Sequence, residues 1–278
     1  MKIAKAVLID PDRNAGYGVP AVAISMLVFA YSTLFGKAPI LLYYAIWLPL
    51  VLVDYRRVLG NYLRYYWILP FSILACLSVF WSQAPEVSAR AAIQYMTHIV
   101  CAFIAARTIG IRTLTAGTLL GIILVVLYSL AVGEYHYAPF DGDYGFAGAF
   151  SSKNILGFFC SIGIYFAFAS LFVLRERRLS GGLALLCGGL AGYALIVSHS
   201  ATALLTTVAA LLVLAVLGGL VPFAVPTRKT LAVMGVVLGL GAAAGALAFG
   251  GFDMLLAAFG KNATLTGRTY LWSQGLAA

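Results

Sequence analysis

The sequence runs to 278 residues with a mean hydropathy of +0.99, and 63% of its residues are hydrophobic against 10% charged. That balance excludes an ordinary water-soluble domain, in which about a quarter of the residues are charged, and it places the chain in a bilayer. The net charge of +9 would suggest polyanion binding in a soluble protein, but most of the excess falls in short connecting loops, so it reads as an orientation signal and nucleic acid is excluded as a partner.

A helix crosses the hydrocarbon with about 20 mostly apolar residues. Nine stretches are predicted to do so: 19–35, 39–53, 66–82, 91–108, 113–132, 154–174, 183–198, 200–221 and 231–250, the second and seventh being the shortest. The expected fold is all-α, a polytopic membrane helix bundle forming a single transmembrane domain over residues 1–278. The first apolar run starts late and has no small-residue cleavage site before a soluble domain, so it reads as an anchor and not as a cleavable signal peptide.

With the N-terminus in the cytoplasm, the inside segments carry Lys2, Lys5, Arg13, Arg56, Arg57, Arg64, Arg107, Arg112, Arg175, Arg177, Arg178, Arg228 and Lys229. Only Lys37, Arg90, Lys153, Lys261 and Arg268 remain outside, which accounts for all 18 basic residues. This asymmetry is what the positive-inside rule requires. Cys76, Cys101, Cys160 and Cys187 lie within predicted spans without CxxC or Cys/His spacing, so they read as small packing residues, with neither disulfide nor metal implied.

Connections are short except at GEYHYAPFDGDYGFAGAFSSK (133–153) and in the tail after residue 250, both outside in this topology. Long loops are where chemistry is expected. Lys153 and Asn154 sit where the first of them enters the sixth span, His199 lies between Ser198 and Ser200 in a tight turn, and Arg90 follows WSQAPEVSA at the start of the fourth span. Lys153 and Arg90 can equally snorkel to headgroups, and His199 can equally cap a helix turn. His98, at membrane depth, either serves a function or bonds a neighbouring helix; His136, in the wet loop, reads as solvated.

Arg268 is harder to read as a mere anchor. Thr266 can cap a short helix beginning near Gly267, which would turn backbone N–H groups and a guanidinium toward one anion. Arginine grips phosphate oxygens bidentately, and Tyr270 and Trp272 suit a membrane interface or a sugar-stacking platform. Outside acids are restricted to Glu86, Glu134, Asp141, Asp143 and Asp253, with no carboxylate cluster for a divalent ion.

At this point the sequence resembles a family. LSVFWSQAPEVSAR (77–90) is similar to the S-x-x-W-S-x-x-P-x-x-S-x-R hallmark of the O-antigen ligase and polysaccharide polymerase superfamily, and GAFSSKNILG, VSHSATALL and LTGRTYLW resemble its next three signatures in the same order. FSSKN and SHSAT place the pattern nearest the exopolysaccharide-production branch. The resemblance implies a multi-pass enzyme of the bacterial inner membrane, metal-independent and without a cofactor. It would transfer glycan from a polyprenyl-diphosphate-linked oligosaccharide to a sugar acceptor on the periplasmic face, in exopolysaccharide or O-antigen biosynthesis, beside other polysaccharide assembly proteins.

Carried over by motif, Arg268 would bind the diphosphate, and Lys153 and Asn154 would support it. Ser200 and Thr202 match the family's S-x-T, and Arg90 its early arginine, for which a structural role stays open. Relatives place a basic residue in or beside that S-x-T, where this sequence has Ala201, so His199 is the nearest substitute. Relatives also continue into a periplasmic segment with a His-Asn motif that serves the acceptor. The sequence is therefore expected to be a C-terminally truncated member that is inactive alone; otherwise another chain supplies the remainder, or His199 stands in as the base. A lipid-linked sugar flippase is the rival reading, since many Gly-rich spans fit it too, but a transporter should carry charges near the midplane and these spans are almost free of them.

Overall fold

A computed structural model describes residues 5–60, 68–138, 143–220, 224–248 and 268–277. Lys2, Arg64, Asp141, Asp253, Lys261, Thr266 and Gly267, all named above, lie outside the described residues, as do the side chains of Arg228, Arg268 and Tyr270. The chain falls into two compact units, Met1–Val125 with Arg178–Leu183 and Val126–Arg177 with Ala184–Ala278.

The first unit holds α1 (Lys5–Ile9), α2 (Ala15–Tyr31), α3 (Ala38–Trp47), α4 (Leu50–Val53), α5 (Tyr55–Leu59), α6 (Leu69–Leu77), α7 (Pro85–Thr108) and most of α8 (Ile111–Val132). α3, α6 and α7 start on a proline in their first two positions, where the missing N–H costs nothing. α5 starts on Asp54, whose carboxylate accepts from the Arg57 N–H. The core gathers Ile9, Val22, Val28, Trp47, Leu50, Val58 and Ile104. Gly117 and Gly121, four residues apart on α8, let α2 come close: a Cβ on either would lie 2.6 or 2.7 Å from Val22 Cβ or Met26 Cβ.

Polar groups meet at one end of this unit. Buried Asn14 donates from Nδ2 to the Thr108 carbonyl at 2.7 Å, Arg57 pairs with Asp10 at 3.4 Å, and Arg107 donates to the Arg57 carbonyl. Residues 10–14, 54–57 and 107–108 thus share one end, as the distribution of Lys and Arg along the sequence requires.

The second unit holds the end of α8, a two-stranded antiparallel hairpin of β1 (Glu134–Ala138) and β2 (Asp143–Gly148), α9 (Lys153–Phe168), α10 (Arg178–Val197) from Ala184 onward, α11 (Ala201–Leu220), α12 (Val225–Ala248) and α13 (Arg268–Ala277). α9 runs on through a π-helical turn at Ala169–Val173. The hairpin stands where the sequence suggested a plain loop.

The protein is an all-α polytopic membrane bundle. Among the described residues five helices are long and apolar enough to cross a bilayer, Pro85–Thr108, Ile111–Val132, Lys153–Val173, Arg178–Val197 and Ala201–Gly219. Ala15–Tyr31, Ala38–Val53 and Leu69–Trp81 occupy the first three expected spans but are shorter, and α12 covers the ninth as far as Ala248. The expected count of nine is therefore not reproduced among the described residues. Ile93 on α7 and Leu212 and Val216 on α11 are more than half exposed, as apolar side chains are when lipid is the solvent.

Candidate functional site

The second unit brings three separate stretches to one end of its helices: the hairpin, the start of α9 and the α10–α11 turn. Ser152, in extended conformation, caps α9 by accepting from the Asn154 N–H at 3.2 Å. Lys153 is the first residue of α9 and is only 9% exposed. A lysine buried at the positive end of a helix dipole concentrates positive potential where an anion would be favoured. About 30 Å away at the far end of this span lie Arg175 and Arg177, in the connection to α10.

The turn into α11 is built by hydroxyls. Buried Ser198 bonds back to the Leu195 carbonyl at 2.7 Å and accepts from the Ser200 N–H at 3.3 Å. Ser200, 3% exposed, accepts from the Ala203 N–H at 3.4 Å and so caps α11, while donating to Asn154 Oδ1 at 2.8 Å. That bond ties the KN pair to the S-x-T stretch, 46 residues apart in sequence, and leaves the Asn154 amide hydrogens to donate elsewhere. His199 has φ +50 and is exposed. Its backbone turns the corner, donating to the Ile196 carbonyl at 3.1 Å and so closing the end of α10, while Ser200 caps α11.

α9 and α11 lie close below this point. A Cβ on Gly157 would come within 2.6 Å of Ala203 Cβ, and Thr207 donates to Ser161 at 2.7 Å across the seam. β2 covers the top. A Cβ on Gly145 would lie 2.6 Å from both Lys153 Cδ and the Ser198 carbonyl oxygen, so only glycine lets the strand sit against the lysine stem and the turn together. Phe150 stacks on Phe159 with centroids 5.3 Å apart, and the buried Ser129 hydroxyl accepts from the Ala149 N–H; both hold the hairpin's return to α9.

Thr202 is exposed on the first turn of α11, and Trp272 is exposed on α13. Arg268 opens α13. Arg90 belongs to the first unit, exposed in the second turn of α7. The helix starts ahead of it, at Pro85, because Ser82 accepts from the Ala84 N–H at 3.1 Å and meets Ser88 at 2.6 Å. His98, also in the first unit, donates from Nδ1 to the Gln94 carbonyl at 2.6 Å and stacks on Tyr43, with Phe29 and Tyr44 around it. It bonds within its own helix and packs on its neighbours' rings.

Among the described residues no three of His, Cys, Asp and Glu come together as a metal site. Gly145, Gly157, Ser161 and Thr207, which pack this end of the unit, were not singled out from sequence; His136 is 45% exposed, in keeping with its reading as solvated. The alternation in EYHYA and DYGFAG around a Pro- and Gly-containing turn was the available signal for the hairpin.

Over its full 278 residues the chain is 54% identical to the exopolysaccharide production protein ExoQ of Rhizobium meliloti, and it spans 64% of that protein's length. No family model matches the chain, and no solved structure does.

Proposed function

Because the chain belongs to the family of exopolysaccharide production proteins, we propose that it is part of a polysaccharide polymerase of the bacterial inner membrane, acting in exopolysaccharide biosynthesis. Its substrate is a polyprenyl-diphosphate-linked oligosaccharide, its acceptor a sugar hydroxyl on a second lipid-linked glycan, and its working face the periplasmic one. The observation that carries this reading is Lys153, buried at the head of α9 and joined through the neighbouring Asn154 to Ser200.

Glycosyl transfer breaks the bond between the anomeric carbon and the diphosphate oxygen, and negative charge grows on the departing diphosphate. Fixed cations that meet that charge lower the barrier without reorganising. Lys153 supplies one, with the α9 N-terminus behind it, and Asn154 adds a neutral donor. Arg268 in the GRT motif supplies the bidentate grip, Ser200 and Thr202 belong to the turn bonded to Asn154, and Trp272 offers a ring for a sugar face. Arg90, exposed on α7 in the first unit, matches the family's early arginine by motif alone.

The test is extension of a purified polyprenyl-diphosphate-linked oligosaccharide by the full-length protein in proteoliposomes. Longer glycan is expected from wild type, and Arg268→Lys should reduce it by about 100-fold or more, the scale of one lost oxyanion donor. Translocation of the lipid without lengthening would replace the transferase with a flippase, and normal polymer from Arg268→Lys would remove Arg268 from the site.

A further inference from the structure

We propose that an anionic phospholipid is bound between the last turns of α9 and α11, its phosphate on Arg175 and one acyl chain in the cavity that lies there. The site is at the opposite end of these helices from Lys153 and is independent of the transfer reading.

α9 and α11 touch at one end and part at the other. Gly157 sets the close approach to Ala203, and Thr207 bonds Ser161 one turn further along. Beyond that point a cavity of about 500 Å³ lies between Phe168, Phe172 and Val173 on one side and Leu214, Ala215 and Gly218 on the other. Its volume is that of a site for one small molecule, and its walls are hydrocarbon. Water finds too few partners in such a space. Phe172 and Val173 are 64% and 50% exposed, so the cavity opens sideways to where acyl chains run. Leu214 and Gly218 belong to the last two turns of α11, which puts its mouth near headgroup depth.

The end of α9 holds a cation at that mouth. Among the described residues lining the cavity, Arg175 alone is charged. The helix widens into the π turn at Ala169–Val173, a form frequent at functional sites. The Leu174 N–H then donates to the Ala169 carbonyl and the Glu176 N–H to the Ser170 carbonyl, each at 2.9 Å. Between those bonds Arg175 takes φ +54, the left-handed conformation that ends many helices and that glycine normally fills. An arginine is strained there, and it shares the cavity wall with the paired rings of Phe168 and Phe172, whose centroids are 4.5 Å apart.

Basic residues at the end of a span follow from the positive-inside rule alone, and Arg177 is explained by it; the cavity and the strained backbone are not. Together they set an apolar slot beneath a guanidinium, the pattern that fits a phosphate with hydrocarbon attached. The guanidinium takes two phosphate oxygens, and the chain restores contacts that the parted helices leave unmade. Both helices end here in carbonyls whose partial negative charge repels an anion, so it is the guanidinium that admits the phosphate. Basic pockets between spans on the cytoplasmic side hold anionic headgroups in this way, and in the proposed topology Arg175 faces that leaflet. The bound lipid completes the packing of the two helices whose other ends carry Asn154 and Ser200.

The experiment uses the full-length protein in detergent with dioleoyl phosphatidylglycerol, dioleoyl phosphatidylethanolamine or polyprenyl phosphate added, and reads bound lipid by native mass spectrometry and stability by thermal unfolding. Wild type should retain one phosphatidylglycerol at a concentration lower than that for phosphatidylethanolamine by about 5-fold or more, the scale of one arginine near an anionic headgroup, and its Tm should rise with phosphatidylglycerol concentration. Arg175→Gly, which suits the left-handed backbone, should melt no lower than wild type without lipid and should lose the preference. Gly218→Leu, placed where a Cβ meets nothing within 4 Å, should fill the cavity and lose the bound lipid. Arg177→Gln is the control and should keep both lipid and preference. Equal retention of the two phospholipids by wild type, or none, would overturn the inference. Equal losses from Arg175→Gly and Arg177→Gln, or undiminished binding to Gly218→Leu, would do the same, and displacement of phosphatidylglycerol by polyprenyl phosphate would give the cavity to the glycan carrier instead.

Discussion

Replacing Gly145 by alanine tests whether the hairpin is seated as described. The new methyl would sit 2.6 Å from Lys153 Cδ and 2.6 Å from the Ser198 carbonyl oxygen. The lysine stem can swing aside, but the carbonyl cannot: Ser198 is fully buried, its hydroxyl is bonded to Leu195, and the next residue holds φ +50. Restoring ordinary contact therefore requires β2 to retreat by about 1 Å. Overpacking of this kind costs about 1–3 kcal/mol, and a shift of that size at a reacting centre can cost about 100-fold in rate. Gly189→Ala on α10 is the control, because a Cβ there meets nothing within 4 Å, and alanine should leave stability equal or slightly higher. Thermal unfolding of the purified protein in detergent and hydrogen exchange at the amides of 143–148 are the assays. Earlier melting and faster exchange are expected only for Gly145→Ala; two variants indistinguishable from wild type would mean that the strand is not packed on the turn.

Two further outcomes are expected. Ser200→Ala removes both the α11 cap and the donor to Asn154 Oδ1, so unfolding in denaturant should show a loss of about 1–2 kcal/mol; an unchanged midpoint would mean that the tie between the two motifs carries no energy. In a background lacking the four native cysteines, Tyr137→Cys and Thr202→Cys should react with an impermeant maleimide added to intact spheroplasts, and Arg13→Cys and Arg177→Cys only after permeabilisation. The opposite pattern would invert the topology.

Much of the architecture was legible one-dimensionally because a bilayer imposes its demands locally. Each span must be apolar along its own length and must satisfy its own backbone, so α7 to α11 could be read from runs of apolar residues, and the basic end of the first unit from the placement of Arg13, Arg57 and Arg107. The first helix has the expected length but lies four residues earlier, whereas the second and third expected spans are broken at Pro49 and by the change to a 3-10 turn at Ser78–Trp81. The candidate cations and the motifs around them were likewise visible as residue types in loops. What sequence alone could not supply was who meets whom. That Asn154 bonds Ser200 and that Gly145 lies on Lys153 depend on strand register and helix approach. Those contacts are set by long-range packing, in which one missing methyl at Gly145 or Gly157 decides whether two elements can touch, and no local pattern records which partner a glycine makes room for.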